Sequence, residues 1–140
     1  MKTVKIFSLA LLAVAFVLGS CSKYEEGPAF SLRTKKARVA GTWKVEKYVD
    51  SDGTTSYPDS DENGTVELTK DNTVKANFPF FGSQVTVSGE WEFIKDKEWL
   101  RIILDFNGEK DVEDSKILRL KNDELWLEDV DGDQTHYVPA

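Results

Sequence analysis

The sequence predicts an all-β fold: eight short antiparallel strands in sequential order, closing into an up-and-down barrel or packing as a small β-sandwich. Three observations predict it. From Gly41 onward the apolar residues recur with the period of a strand and not of a helix. Turn-forming pairs punctuate the chain at short intervals, at Asp71-Asn72, Asn107-Gly108, Asn122-Asp123 and Asp131-Gly132. No segment after residue 40 carries a helical pattern ten residues long. Closure into a barrel removes both exposed edges of such a meander, and an open sandwich is the competing arrangement.

Residues 31–39 suit a short helix. The first strand follows, with Trp43, Val45 and Val49 on one face and Thr42, Lys44 and Glu46 on the other. Residues 50–63, with Gly53, Pro58 and several acids, read as a long loop. Val66 and Leu68 mark the second strand, and Asp71-Asn72 turns into the third, which carries Val74, Ala76 and Phe78. Residues 77–82 break the pattern, because Pro79 cannot donate to a central ladder. Val85, Val87, Gly89, Trp91 and Phe93 form one face of a long fourth strand, and Leu100, Ile102, Leu104 and Phe106 one face of the fifth. Asn107-Gly108 is the strongest hairpin signal in the chain, although the charged stretch to Asp114 lengthens this connection. Leu118 with Leu120, and Leu125 with Leu127, are the inward pairs of the next two strands. The last strand, 134–138, brings Tyr137 inward.

Gly41-Thr42-Trp43 resembles the Gly-x-Trp motif that opens the first strand of lipocalins after a short helical turn, so Gly41 and Trp43 stand as the fold signature. The turn 71–74 is similar to that of small lipocalin-like lipoproteins of Bacteroidetes. The resemblance implies a lipocalin-like barrel that binds rather than catalyses, with room for a small apolar ligand. Three features depart from the pattern. The last strand has no Arg to cover the Trp, the Thr-Asp-Tyr loop motif is absent, and no C-terminal helix follows.

Composition narrows the chemistry. The chain has 140 residues, a formal net charge of -7, one Cys and one His. A single Cys excludes an internal disulfide, a redox pair and a thiolate zinc cluster, and a single His excludes a two-histidine metal site. Residues 21–140 carry 16 basic and 25 acidic side chains, a net charge of -9, so nucleic acid is not an expected partner.

The N-terminus points to an address. Lys2 and Lys5 precede a 13-residue apolar run, 6–18, interrupted only by Ser8, which is the length of a signal-peptide core and too short to span a bilayer comfortably. Leu18, Gly19 and Ser20 before Cys21 resemble the lipobox of bacterial lipoproteins, in which the thiol is lipidated and the signal cut just before it. The resemblance implies a signal peptide at 1–20, an acylated tether at 21–32 and a folded domain at 33–140. Ser22 in place of aspartate favours the outer membrane, and the acidic run 23–26 is similar to a surface-export signal or serves as a plain solvated tether. Stable attachment needs two or more acyl chains.

Candidate sites follow from these elements. Trp43, Trp91, Phe93, Ile102, Leu104, Phe106 and Tyr137 are expected to line any ligand cavity, and the alternative is that the same side chains simply fill the barrel, with only Ala76 and Gly89 leaving room. Phe80 and Phe81 belong to an apolar loop that is a lid, a contact patch or a segment folded onto the core. Trp99 and Trp126, on the outward face, are the candidates for a glycan or protein partner. The acids at 59–64 and 129–133 are ordinary turn chemistry more readily than calcium sites, since Lys70 stands where an EF-hand requires a bidentate Glu. No catalytic residue, metal site or cofactor is expected beyond the covalent lipid on Cys21: His136 is the only imidazole, and no activated nucleophile motif occurs.

Overall fold

The computed structural model describes residues 33–60 and 63–140, so the signal, lipobox and Cys21 expectations lie outside the described residues. The Thr34 hydroxyl accepts from the Ala37 N–H and caps the single turn of helix α1, Lys35–Val39. Nine strands follow: β1 Gly41–Val49, β2 Thr55–Ser56, β3 Thr65–Leu68, β4 Thr73–Phe80, β5 Ser83–Ile94, β6 Trp99–Phe106, β7 Glu109–Leu120, β8 Leu125–Glu128 and β9 Gln134–Pro139. Each strand from β3 to β8 pairs antiparallel with the next, β1 pairs with β3, and β1 with β9 closes the ring. The result is a closed eight-stranded barrel with β2 added beside it. β1 serves two neighbours in turn: Gly41 to Lys44 pair with β3, and Tyr48 and Val49 pair with β2. The long loop expected at 50–63 therefore contains one extra strand.

One end of the barrel is packed shut. Helix α1 and the turns at 69–73, 95–98 and 121–124 lie there, and Val39, Trp43, Leu68, Val74, Trp91, Leu100, Leu120 and Leu125 form its buried floor. Trp43 Nε1–H donates to the Val39 carbonyl at 2.8 Å and Trp91 Nε1–H to the Thr69 carbonyl at 2.9 Å. Each buried indole is thus satisfied by the backbone of the floor, which is what burial of a polar N–H requires. Asn72, at φ 66, completes the expected 71–72 turn and ties it to β5 by donating from Nδ2 to the Trp91 carbonyl at 2.9 Å.

The other end is the mouth, and four expectations change there and along the strands that lead to it. The stretch 109–114 is not part of a long connection but the start of β7, because Asn107 and Gly108 take φ 56 and 94 and close a two-residue turn, leaving Phe106 opposite Glu109. Residues 77–82 do not break the sheet. β4 continues to Phe80, and Phe81 and Gly82, at φ 48 and 76, form another two-residue turn. Pro79 is tolerated because β3 pairs no further than Asn77, so no neighbour on that side needs its missing N–H. A bulge between Ile117 and Arg119 buries Ile117 and leaves Leu118, the expected inward residue, only half-buried. A register shift between Val45 and Lys47 turns Tyr48 inward opposite Thr135 and takes Val49 to the outer face.

Candidate functional site

The rim of the barrel is uneven. β7 pairs with β8 no further than Lys116 and β4 with β3 no further than Asn77, so residues 109–115 and 78–80 rise past their neighbours. β4 to β7 thus form a tall wall whose inner face continues above the ring. Its upper part carries Phe78, Ile102, Leu104 and Phe106, the last 42% exposed. Among the described residues, the exposed large hydrophobics Phe106, Tyr48, Tyr57, Phe80, Phe81, Val112 and Val130 all lie in the mouth half. The floor is buried, and the exposed apolar side chains gather at the mouth.

The expected lining residues divide between these regions. Trp43, 3% exposed, and Trp91, 1% exposed, are locked in the floor, and Phe93 packs edge-on against Trp91 with ring centroids 5.3 Å apart. Ile102, Leu104 and Phe106 stand on the tall wall, and Tyr137 faces them from β9 between Val45 and Leu125. Gly89 leaves no room for a ligand. A Cβ there would collide with the Ile103 carbonyl oxygen, so the missing side chain admits the β6 backbone.

Acids on the inner wall escaped the sequence reading. Counting from the Asn107-Gly108 turn, the buried Ser115 and Ile117 face inward, and so do Glu113 opposite Ile102 and Asp111 opposite Leu104. Loss of hydration, followed by the nearby charges of Asp111 and Asp129, raises the Glu113 carboxyl above its ordinary value, although the residue is exposed at the rim. Tyr137 packs against the core cluster, and burial, followed by Glu113 and Tyr48, pushes its hydroxyl far above the usual phenol range. The signal was the type I′ turn itself, since it fixes the register and hence the face of every residue in β7.

The outward tryptophans are partly covered. Trp126 stacks on its cross-strand neighbour His136 at 4.0 Å and 7°, and the Arg119 guanidinium lies over the ring at 4.5 Å. Arg119 is held by Glu124 at 2.6 Å, and His136, only 4% exposed, has Nε2 at 2.9 Å from Gln134 Oε1. The Lys95 ammonium covers Trp99 at 3.7 Å. Phe80 and Phe81 meet edge to face at 4.5 Å on the turn between β4 and β5, where Phe81 is 93% exposed. They form a protruding tip, not a lid folded onto the core. In the 129–133 turn, Asp129 Oδ1 accepts from the Asp131 and Asp133 N–H groups and Asp133 Oδ1 from the Ser51 N–H, so these carboxylates hold the loop backbone.

A family model for the lipocalin-like domain matches residues 39–127. The fold is similar to that of a lipocalin-like protein from Bacteroides uniformis, with a TM-score of 0.59 and 20% identity over 74% of this chain and 99% of that one. It is also similar to that of an uncharacterized protein from Bacteroides eggerthii, with a TM-score of 0.58 and 14% identity over 72% and 98% of the two chains. No curated protein matches the chain in sequence.

Proposed function

Because the chain belongs to the lipocalin-like domain family, whose members generally bind and do not catalyse, we propose that it is a lipid-anchored binding protein of the outer membrane that takes a small apolar molecule into the mouth of its barrel. The observation that carries the reading is the contrast between the two ends: Trp43 and Trp91 are locked by backbone hydrogen bonds, whereas Ile102, Leu104 and Phe106 line a wall with no strand of matching height opposite. An apolar face of that kind is what a ligand covers. The anchor is the thioether lipid on Cys21, and the tether 21–32 spans at most roughly 40 Å. Native mass spectrometry of the protein released gently from detergent tests the reading. A co-purified molecule is expected, and Ile102→Trp, which fills the space beside Leu104, should expel it; an empty wild-type barrel would refute the proposal.

The exposed Phe80-Phe81 tip supports a second reading, a surface partner that meets the rim. A bulky side chain held at φ 48 in a turn that favours Gly or Asn is a cost that folding alone does not explain.

A further inference from the structure

The two ends of the barrel carry opposite charge. The described mouth loops 50–60, 81–82, 107–108 and 129–133 contain six Asp and no Lys or Arg. At the floor, α1 with its flanking residues, 33–40, and the turns 69–72, 95–98 and 121–124 carry eight Lys or Arg against five acids. One of those acids, Glu124, is already engaged by Arg119 at 2.6 Å and by Lys121 at 3.9 Å. Arg33, Lys36, Lys70, Lys95 and Lys97 are exposed, and they come from three separate segments, so the fold and not a run in the sequence gathers them. Lys95, Asp96 and Lys97 take φ 49, 58 and 65, three successive left-handed residues where Gly or Asn would be held at less cost. The chain enters from this same end: the described residues begin at Arg33, beside α1, and eleven residues separate it from Cys21.

Resting on the proposed lipid anchor at Cys21, we infer that the floor is a membrane-docking face, its bases set against the anionic phosphates of the bilayer that holds the tether, with the mouth turned away. A tether that reaches roughly 40 Å lets either end of a barrel about 30 Å tall meet the surface, so the tether alone does not choose. Charge does. β5 runs 12 residues from mouth to floor, and that separation is several times the ~8 Å screening length of physiological salt, so the mouth acids do not oppose the floor bases. Each base near an anionic leaflet strengthens the contact about fivefold, and a short tether supplies the effective concentration at which a contact of a few charges forms. The inverted arrangement would bring six Asp against the same phosphates. Docking by the floor leaves the apolar wall and the Phe80-Phe81 tip on the aqueous side, open to a ligand or partner.

The test is lysine acylation of the full-length protein, inserted from outside into phosphatidylcholine vesicles with or without roughly one part in four of phosphatidylglycerol, using an impermeant reagent and reading each site by peptide mass spectrometry. On the anionic vesicles Lys36, Lys70 and Lys97 should react about fivefold or more slowly than on the neutral ones, while Lys110, exposed near the mouth, keeps its rate. Salt at about 1 M should remove the protection. Lys36→Glu combined with Lys70→Glu should restore the reactivity of Lys97 without detaching the protein. Floor lysines equally reactive on both kinds of vesicle, protection of Lys110 as strong as theirs, or protection of Lys97 that survives both reversals would overturn the docking face and leave the anchor standing. Release from the neutral vesicles with floor protection retained on the anionic ones would overturn the anchor and support the face, and release from both would overturn both.

Discussion

Trp126→Ala separates the two ways in which the outward aromatic residues can be understood. If Trp126 waits for a partner, its removal costs little stability. The structure gives a different expectation, because the ring lies between the His136 imidazole, 4.0 Å away, and the Arg119 guanidinium, 4.5 Å away. Losing an aromatic stack costs about 0.5–1.5 kcal/mol, and a cation–π contact near the surface about 0.5–1 kcal/mol. Re-exposing the apolar flanks that the half-buried ring covers adds on the order of 1 kcal/mol. The sum is about 3 kcal/mol, or roughly 10–20 °C in melting temperature for a domain of this size. Urea denaturation should show the midpoint falling with an unchanged slope, as for loss of stability without loss of cooperativity. Trp126→Phe should retain about half of the effect, and His136→Ala should couple to Trp126→Ala in a double-mutant cycle by about 1 kcal/mol. A melting shift below about 3 °C would refute the argument and return Trp126 to the list of partner contacts.

Three further outcomes follow from particular atoms. Gly89→Ala should destabilise by about 1–3 kcal/mol in chemical denaturation, because its methyl group displaces the β6 backbone at Ile103 and over-packing costs that much; a neutral substitution would contradict the close approach. Because the Glu113 pKa is raised in the folded state, the native chain binds more protons than the unfolded one, so stability falls as pH rises from 4.5, the ordinary value, through the raised one. Glu113→Gln should therefore match wild type in acid and exceed it at neutral pH, a difference that melting curves across that window would show. Asp114, lowered by its hydrogen bonds from Arg101 at 2.7 and 2.9 Å, has the opposite sign, its stabilisation being lost as pH falls below 3.8. Cys21→Ser should release the protein from the membrane fraction, and unchanged fractionation would contradict the lipid anchor.

The barrel was legible because most strands obey a local rule. Alternation placed Trp43, Leu68, Val74, Trp91, Leu100, Leu120, Leu125 and Leu127 in the core, where they are found. What alternation could not show were the two places where the count of residues slips, at Val45 to Lys47 and at Ile117 to Arg119, since a bulge moves later side chains to the other face without any change in composition. Nor could it show Pro79 as a strand residue, because the permissive condition is the early end of β3, a fact about a neighbouring strand. The site was missed for a related reason. The run 109–114 looks like a solvated connection because it is charged, and it is charged because the strand stands clear of β8, at a height where the barrel does not close.

That difference in height explains how one small domain can hold both a stable core and carboxylates that work against it. At the floor, every strand has two neighbours, the indole N–H groups are satisfied and Gly89 lets two backbones approach closely. Stability is concentrated there, away from the rim. Glu113 lies several residues up β7 from Ile117 and Leu120, so its unfavourable environment is confined to the part of the strand that only β6 supports. An apolar residue at 113 would relieve that cost and extend the wall, yet the acid is present with Asp111 and Asp129 raising its pKa further.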